Sequence, residues 1–306
     1  MLTDRASTGP DSLVAALREL SPRSSSQLRR YSTTISVRTR DGADYAEHVS
    51  HPSLLCIHAH PDDEALWTGG VLLRCAELGG RTSVVTCTWP PGSERAGELQ
   101  QSLQILNAGA PRLLGYADLG VTDTTEDYRS FCDAPFDELV ESVVAHIRAF
   151  RPDTVLTYDP MGVYGHPDHI QTHRVAVAAI GAAGYPQLYP EAGPPWRPKL
   201  LYQATMPFSA AQLLWPAVRK QANRPVGPLP GVPDEEIDLF VDVTAWLQTK
   251  WDALSAHKSE IARGGAMTML AALPEDVRWD VLRTEWFQRM TLQPDAEPFD
   301  ALRFPA

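Results

Sequence analysis

The 306-residue sequence has no long apolar run, and this absence narrows what the protein can be. A membrane-spanning helix needs about 20 consecutive apolar residues, and no apolar run reaches even about 18. Residues 1–30 also lack the order of charged, apolar and small residues that marks a secretory signal. We therefore expect a cytoplasmic protein that makes no contact with a membrane.

Positive charge is also scarce. The chain has 27 Lys and Arg residues against 38 Asp and Glu residues, which gives a formal net charge of −11. Proteins bind phosphate backbones through basic patches, so this balance argues against nucleic acid as a partner. It suits a small neutral or cationic ligand instead. The sequence leaves open whether the chain forms a homo-oligomer.

Cysteine is limited to four residues, and no two of them form a C-x-x-C pair. We interpret them as buried, reduced thiols of a cytosolic protein. They are Cys56, Cys75, Cys87 and Cys132.

From Ser53 onward, short apolar runs alternate with helical patterns. Predicted strands are 54–58, 82–88, 112–116, 153–159, 199–205 and 237–243, and predicted helices are 65–78, 98–109, 136–150, 169–183 and 246–261. Continuous apolar strands separated by helices predict an α/β fold with a Rossmann-like, mainly parallel sheet covered by helices on both faces. In such a sheet the active site lies at the carboxyl ends of the strands.

The domain organisation follows from composition. Residues 1–50 are polar and rich in Ser and Arg, and we interpret them as an N-terminal extension of uncertain order. Residues 51–306 form a single predicted α/β domain, with a Pro-rich loop region at about 186–233.

Two short motifs follow predicted strands at the carboxyl edge of this sheet. The first, His60–Glu64, reads HPDDE, and the second, Tyr164–His169, reads YGHPDH. Each places a candidate ligand three residues after a histidine. Such sequences also occur at helix starts, where Pro and an acidic residue suit the first turn. Two of them at one edge of a sheet favour a metal site over this simpler interpretation.

A cation would explain the first motif. Three consecutive acids, Asp62, Asp63 and Glu64, beside His60 are electrostatically unfavourable unless a positive group lies among them. Two imidazoles and one carboxylate suit zinc with a position open for water, and the same set suits non-haem Fe(II). Neighbouring side chains diverge, so we expect one aspartate to bind the ion and the other to act as a general base.

The two motifs together resemble those of the LmbE/PIG-L-type zinc N-deacetylases, and the mycothiol-pathway deacetylases are the most similar branch. The likeness covers roughly residues 53–183. It implies a metal-dependent hydrolase that removes the N-acetyl group from an N-acetylglucosaminyl sugar conjugate and releases acetate and a free amine. It further implies zinc on His60, Asp63 and His169, with Asp62 as the general base and then the general acid.

The resemblance also implies roles for residues around this centre. A protonated His166 would stabilise the tetrahedral oxyanion, Tyr164 would polarise the acetyl carbonyl, and Asp168 would orient the histidine. Three further positions match family residues that hold the sugar, namely Arg95, Glu98 and Asp118.

Departures from the family pattern leave the substrate open. The loop after the second strand is short, and residues 1–50 and 186–233 have no counterpart. A competing hypothesis is an amidase of thiol conjugates within the same family, which the YGHPDH context disfavours. An Fe(II) oxygenase and a non-catalytic binding protein are two further hypotheses, and the intact Asp62, His166 and Tyr164 argue against the binding protein.

Overall fold

The computed structural model describes residues 53–119, 128–212, 215, 228–264, 266–294 and 296. The predicted N-terminal extension, residues 1–50, lies outside these ranges, as does part of the predicted Pro-rich loop region. Among the described residues, no helix is both long enough and apolar enough to span a bilayer.

The described strands form one seven-stranded sheet with the order β3-β2-β1-β4-β5-β7-β6. Neighbouring strands from β3 to β5 are parallel, and β7 runs antiparallel to both β5 and β6. The strands are β1 Ser53–His58, β2 Arg81–Thr88, β3 Arg112–Tyr116, β4 Thr154–Tyr158, β5 Leu200–Thr205, β6 Leu239–Asp242 and β7 Thr284–Thr291.

Helices cover both faces of the sheet, as the sequence predicts. They are α1 Asp63–Glu77, α2 Glu94–Ile105, α3 Phe136–Phe150, α4 Gly162–Gly165, α5 Pro167–Ala183, α6 Leu247–Ser255, α7 Lys258–Ala262, α8 Ala266–Ala272 and α9 Glu275–Leu282. Short 3-10 turns lie at Phe131–Asp133, Pro190–Ala192, Asp234–Glu236 and Thr244–Trp246.

The alternation of side chains along β1 divides the core into two layers. Leu54 and Cys56 pack into the cluster formed with α1, α2, α6, α8 and α9. Leu55 and Ile57 point the other way, into the cluster formed with α3 and α5. Successive residues of a strand face opposite sides of the sheet, so a strand covered on both sides must be apolar throughout.

Several predicted elements match closely, and others differ. The predicted strand 112–116 and helix 136–150 have the observed bounds. Helix α2 begins at Glu94 rather than residue 98, because the Ser93 hydroxyl caps it by accepting the N–H of Ala96 at 3.2 Å. The predicted helix 246–261 is broken between α6 and α7. Strand β7 and the helices α4, α8 and α9 are not predicted from the sequence.

A buried ion pair joins α6 to β7, and its carboxylate also binds helix α1. Nζ of Lys250 lies 2.6 Å from Oε1 of Glu285, and each side chain is 1% exposed. The same carboxylate accepts the N–H groups of Gly70 at 2.8 Å and Val71 at 3.1 Å. The pair therefore anchors the helix whose N-terminus carries the HPDDE motif.

Candidate active site

The loops that follow β1 and β4 bring His60, Asp63 and His169 together at the carboxyl edge of the sheet. Nδ1 of His60 lies 3.2 Å from Nε2 of His169. Oδ2 of Asp63 lies 3.4 Å from Nδ1 of His60 and 3.5 Å from Nε2 of His169. Ligand atoms about 2.0–2.1 Å from a tetrahedral zinc ion are about 3.3–3.4 Å from one another. The observed spacing therefore fits a divalent cation.

The outer ring nitrogens of both histidines face acceptors. Nε2 of His60 lies 3.2 Å from Oδ2 of Asp168 and 3.3 Å from Oδ1 of Asp118. Nδ1 of His169 lies 3.2 Å from the carbonyl oxygen of Gly162. We assign a proton to each outer nitrogen, which leaves a lone pair on Nδ1 of His60 and on Nε2 of His169. With Oδ2 of Asp63, three acceptors then face one another, and a cation satisfies all three.

The electrostatics of the protein alone point the same way. Burial on its own would lower the pKa of His60, but hydrogen bonds to Asp118, Asp168 and Asp63 raise it well above its usual value. Burial on its own would raise the pKa of Asp63, but His169 and His60 hold it well below its usual value. The site therefore favours a positive charge among these groups.

Asp63 is held by donors from three directions. Its Oδ2 accepts the backbone N–H of His60 at 2.9 Å and the hydroxyl of Tyr158 at 2.7 Å. Its Oδ1 accepts Nε1–H of Trp67 at 3.1 Å. The Tyr158 ring also stacks on His169, with centroids 4.2 Å apart and planes 8° apart. Neither aromatic residue is predicted as a site residue from the sequence, although Tyr158 ends β4 and Trp67 lies one helical turn after Asp63.

Asp62 has a backbone conformation that L-residues rarely adopt, with φ 119° and ψ −28°. Such strain costs on the order of 1–3 kcal/mol and occurs mainly at functional sites. The Asp62 N–H donates to Oε2 of Glu64 at 2.9 Å, and its carboxylate lies 3.5 Å from Nη2 of Arg95. Burial raises the pKa of Asp62 to about 7, against the opposing effect of Arg95. A carboxyl group of this kind can exchange a proton near neutral pH.

The contacts of His166 and Asp168 bear on the roles that the resemblance implies, and those roles stay predictions. Nδ1 of His166 accepts the backbone N–H of Asp168 at 3.3 Å, so Nε2 is the nitrogen that can donate. Burial and the neighbouring His60 lower the pKa of His166, which favours a neutral ring rather than a protonated one. The carboxylate of Asp168 contacts His60, and a role for Asp168 in orienting a histidine stays a prediction.

Tyr164 and Asp118 also reach this cluster. The Tyr164 ring lies 5.0 Å from the ring of His169 and 6.2 Å from that of His166, centroid to centroid. Burial raises the pKa of Tyr164, so its hydroxyl keeps its proton. Oδ1 of Asp118 lies against Nε2 of His60. A role for Asp118 in sugar binding stays a prediction.

Arg95 and Glu98 contact other protein groups. Arg95, 3% exposed, donates to the carbonyl oxygen of Pro61 and to Oε2 of Glu260, the latter at 2.6 Å. The carboxylate of Glu98 accepts the N–H of Ser259 at 2.8 Å and its hydroxyl at 2.6 Å. These contacts already supply both side chains with partners inside the protein. Roles for Arg95 and Glu98 in sugar binding stay predictions.

Two other sets of residues in this cluster also have possible ligand atoms within 4.8 Å of one another. They are the set His60, His166 and His169 and the set His60, Asp118, His166 and Asp168. In the second set Asp118 and Asp168 face the outer nitrogen of His60, and zinc binding by His60, Asp63 and His169 stays a prediction.

The site and the fold agree with comparisons to known proteins. Residues 55–180 match the family described as PIG-L: GlcNAc-PI de-N-acetylase. A protein of Rhodococcus jostii named 1D-myo-inositol 2-acetamido-2-deoxy-alpha-D-glucopyranoside deacetylase is 39% identical over 272 residues, covering 78% of this chain and 91% of that protein. The chain belongs to the PIG-L family. A protein of the same name from Streptomyces avermitilis is 34% identical over 269 residues, covering 77% of this chain and 90% of that protein.

Solved structures show the same PIG-L fold. The N,N'-diacetylchitobiose deacetylase from Pyrococcus horikoshii matches with a TM-score of 0.52 at 18% identity, covering 78% of this chain and 84% of that one. A conserved protein from Thermus thermophilus matches with a TM-score of 0.53 at 23% identity, covering 80% of this chain and 96% of that one. The family resemblance and the α/β fold predicted from the two motifs and the strand pattern are thus confirmed.

Proposed function

We propose that this PIG-L protein is a metal-dependent hydrolase that removes the acetyl group from an N-acetylglucosaminyl conjugate and yields acetate and a free amine. The observation that carries the proposal is the group of three facing acceptor atoms, from His60, Asp63 and His169, beside the strained Asp62. The names of the Rhodococcus and Streptomyces relatives support an inositol glycoside of N-acetylglucosamine as the substrate class.

His60, Asp63 and His169 would hold the metal ion. When bound, a divalent cation supplies Lewis acidity that polarises a carbonyl group and makes water more acidic. Zinc suits a set of two nitrogens and one oxygen, and Fe(II) is the second ion that the same set admits.

Asp62 supplies the proton transfers in this proposal. Its carboxylate takes a proton from the water molecule that attacks the acetamide carbon. It then returns the proton to the amide nitrogen as the C–N bond breaks, so that a neutral amine leaves. Burial raises the pKa of Asp62, which suits both steps because the group must be a base first and an acid second.

His166 and Tyr164 act as donors to the oxygen on which negative charge develops. The neutral His166 ring can donate from Nε2, because its Nδ1 accepts the N–H of Asp168. One such donor lowers the barrier by about 3–4 kcal/mol. The protonated Tyr164 hydroxyl is available as a second donor.

We also propose a cytoplasmic location. All four cysteines of the chain are free, as is usual for proteins in a reducing compartment.

The test is an assay for acetate and free amine on a panel of N-acetylglucosaminyl glycosides that includes the inositol glycoside. Elemental analysis gives the metal content of each variant. We expect Asp62→Ala to lose turnover and keep the metal, and His60→Ala to lose both. An Asp62→Ala variant with full activity would refute the assignment. Cleavage of thiol conjugates added to the panel would favour the amidase hypothesis. Consumption of oxygen would favour the oxygenase hypothesis.

A further inference from the structure

His257, which is far from both motifs in the sequence, is linked to the backbone of Asp62 by the buried carboxylate of Glu64. His257, between α6 and α7, is completely buried, and its Nε2 lies 2.7 Å from Oε1 of Glu64. Ser102 donates its hydroxyl to the same oxygen at 2.5 Å. The other oxygen of Glu64 accepts the N–H of Asp62 at 2.9 Å. The Glu64 carboxylate thus links the junction of α6 and α7 to the turn that carries Asp62.

A second line of contacts reaches the side chain of Asp62. Oε2 of Glu260, on α7, accepts Nη1–H of Arg95 at 2.6 Å. Nη2 of Arg95 donates to the carbonyl oxygen of Pro61 and lies 3.5 Å from Oδ2 of Asp62. Arg95 is almost fully buried, so its charge needs these acceptors. Glu260 therefore acts on Asp62 through Arg95.

The segment that supplies both lines is itself fixed. Ser259 donates its N–H and its hydroxyl to Glu98 on α2, at 2.8 and 2.6 Å. The guanidinium carbons of Arg95 and Arg263 each lie over the ring of Trp89, at 5.1 and 5.0 Å from its centroid. These contacts dock α7 against α2 and against the loop that follows β2.

We infer that His257 and Glu260 are positioning residues for Asp62: His257 fixes the backbone through Glu64, and Glu260 fixes the carboxylate through Arg95. The inference rests on the proposed role of Asp62 as the general base. The segment lies outside residues 55–180, which match the family. A backbone at φ 119° persists only where its surroundings impose it, and two independent contacts meet at this turn. Arg95 is thereby a positioning residue rather than a sugar ligand.

The kinetic test is Glu260→Gln, which keeps the size of the side chain and removes its charge. We expect kcat to fall by about 10- to 100-fold, since small displacements of a reacting group have effects of that size. We expect KM and the metal content to stay as in the wild type. Lys258→Ala is the matched control, because Lys258 is an exposed residue of the same helix. An unchanged kcat, or a rise in KM alone, would overturn the inference.

Two further measurements separate positioning from a general structural effect. In an Asp62→Ala background, Glu260→Gln should cause no further loss of the residual rate, because its effect passes through Asp62. A further loss of about tenfold would contradict this. Arg95→Lys, which keeps the charge, replaces Glu260→Gln in the cycle if the latter has a lowered melting temperature.

A readout that needs no activity distinguishes this inference from the proposed function. By hydrogen exchange, His257→Leu should speed exchange in the peptide covering residues 60–66, and Lys258→Ala should not. An unaltered exchange rate overturns the inference even in an active enzyme. A wild type that releases no acetate from any glycoside refutes the proposed function, whereas faster exchange in His257→Leu still supports the link from His257 to the Asp62 turn.

Discussion

The Tyr158 hydroxyl joins two parts of the candidate metal site, and its removal tests how that site is held. It accepts the N–H of Ala59 at 2.8 Å and donates to Oδ2 of Asp63 at 2.7 Å. Tyr158→Phe keeps the ring that stacks on His169 and removes both bonds. An unsatisfied buried N–H costs about 1–3 kcal/mol, and a lost bond to a carboxylate costs about 1.5–3 kcal/mol. We therefore expect the free energy of unfolding of the metal-free protein to fall by about 3–5 kcal/mol.

The same change should weaken metal binding, because Asp63 loses the donor that orients it. Losing such a partner lowers metal affinity by about 10- to 100-fold. Competition with a chromophoric chelator measures the Kd of Tyr158→Phe against that of the wild type. Tyr116→Phe is the control, because the Tyr116 hydroxyl bonds to the exposed Glu138. A Kd of Tyr158→Phe equal to that of the wild type would show that the reasoning about Asp63 is wrong.

Three other predictions concern the base, the second motif and the ion pair. Burial raises the pKa of Asp62 to about 7, and a bound cation would lower it. We therefore expect a profile of kcat against pH to show an acid limb below about 7, where activity is lost because Asp62 becomes protonated. Gly162 has φ +61°, and in Gly162→Ala the new Cβ would lie 2.5 Å from Cβ of His169, so we expect this variant to lose metal on dialysis. Gly165 has φ +90° with open space around a new Cβ, so the control Gly165→Ala should keep the metal. Lys250→Met leaves the buried carboxylate of Glu285 unpaired and should lower the free energy of unfolding, measured in urea, by about 3–5 kcal/mol. Adding Glu285→Gln removes the unpaired charge and should recover part of this loss.

The parallel part of the sheet was predictable because its central strands are buried on both faces. Every residue of β1 is buried, so the strand is an almost unbroken apolar run in the sequence. β7 is different, because its C-terminal residues 289–291 are exposed and it carries the buried charge of Glu285. Its sequence, TEWFQRMT, therefore lacks both the apolar run and the regular alternation that identify strands.

The metal-ligand candidates were predictable for a related reason: each motif lies at the start of a helix and keeps its residues close in sequence. The residues that support Asp62 are not close in sequence. His257 is 193 positions from Glu64, and Glu260 is 165 positions from Arg95. A lone histidine in a helical region is usually a packing residue, and no spacing rule marks these two as partners of the motif. Only the fold brings them together.

The position of β7 has a consequence for how the protein is made. β7 is the last of the described strands in the sequence, yet it lies between β5 and β6. A ribosome therefore releases both neighbours before the strand that joins them exists, and each then carries an unpaired edge. Synthesis stopped before Thr284 would yield a chain that has both histidine motifs and an open sheet. We expect such a chain to aggregate rather than to bind metal.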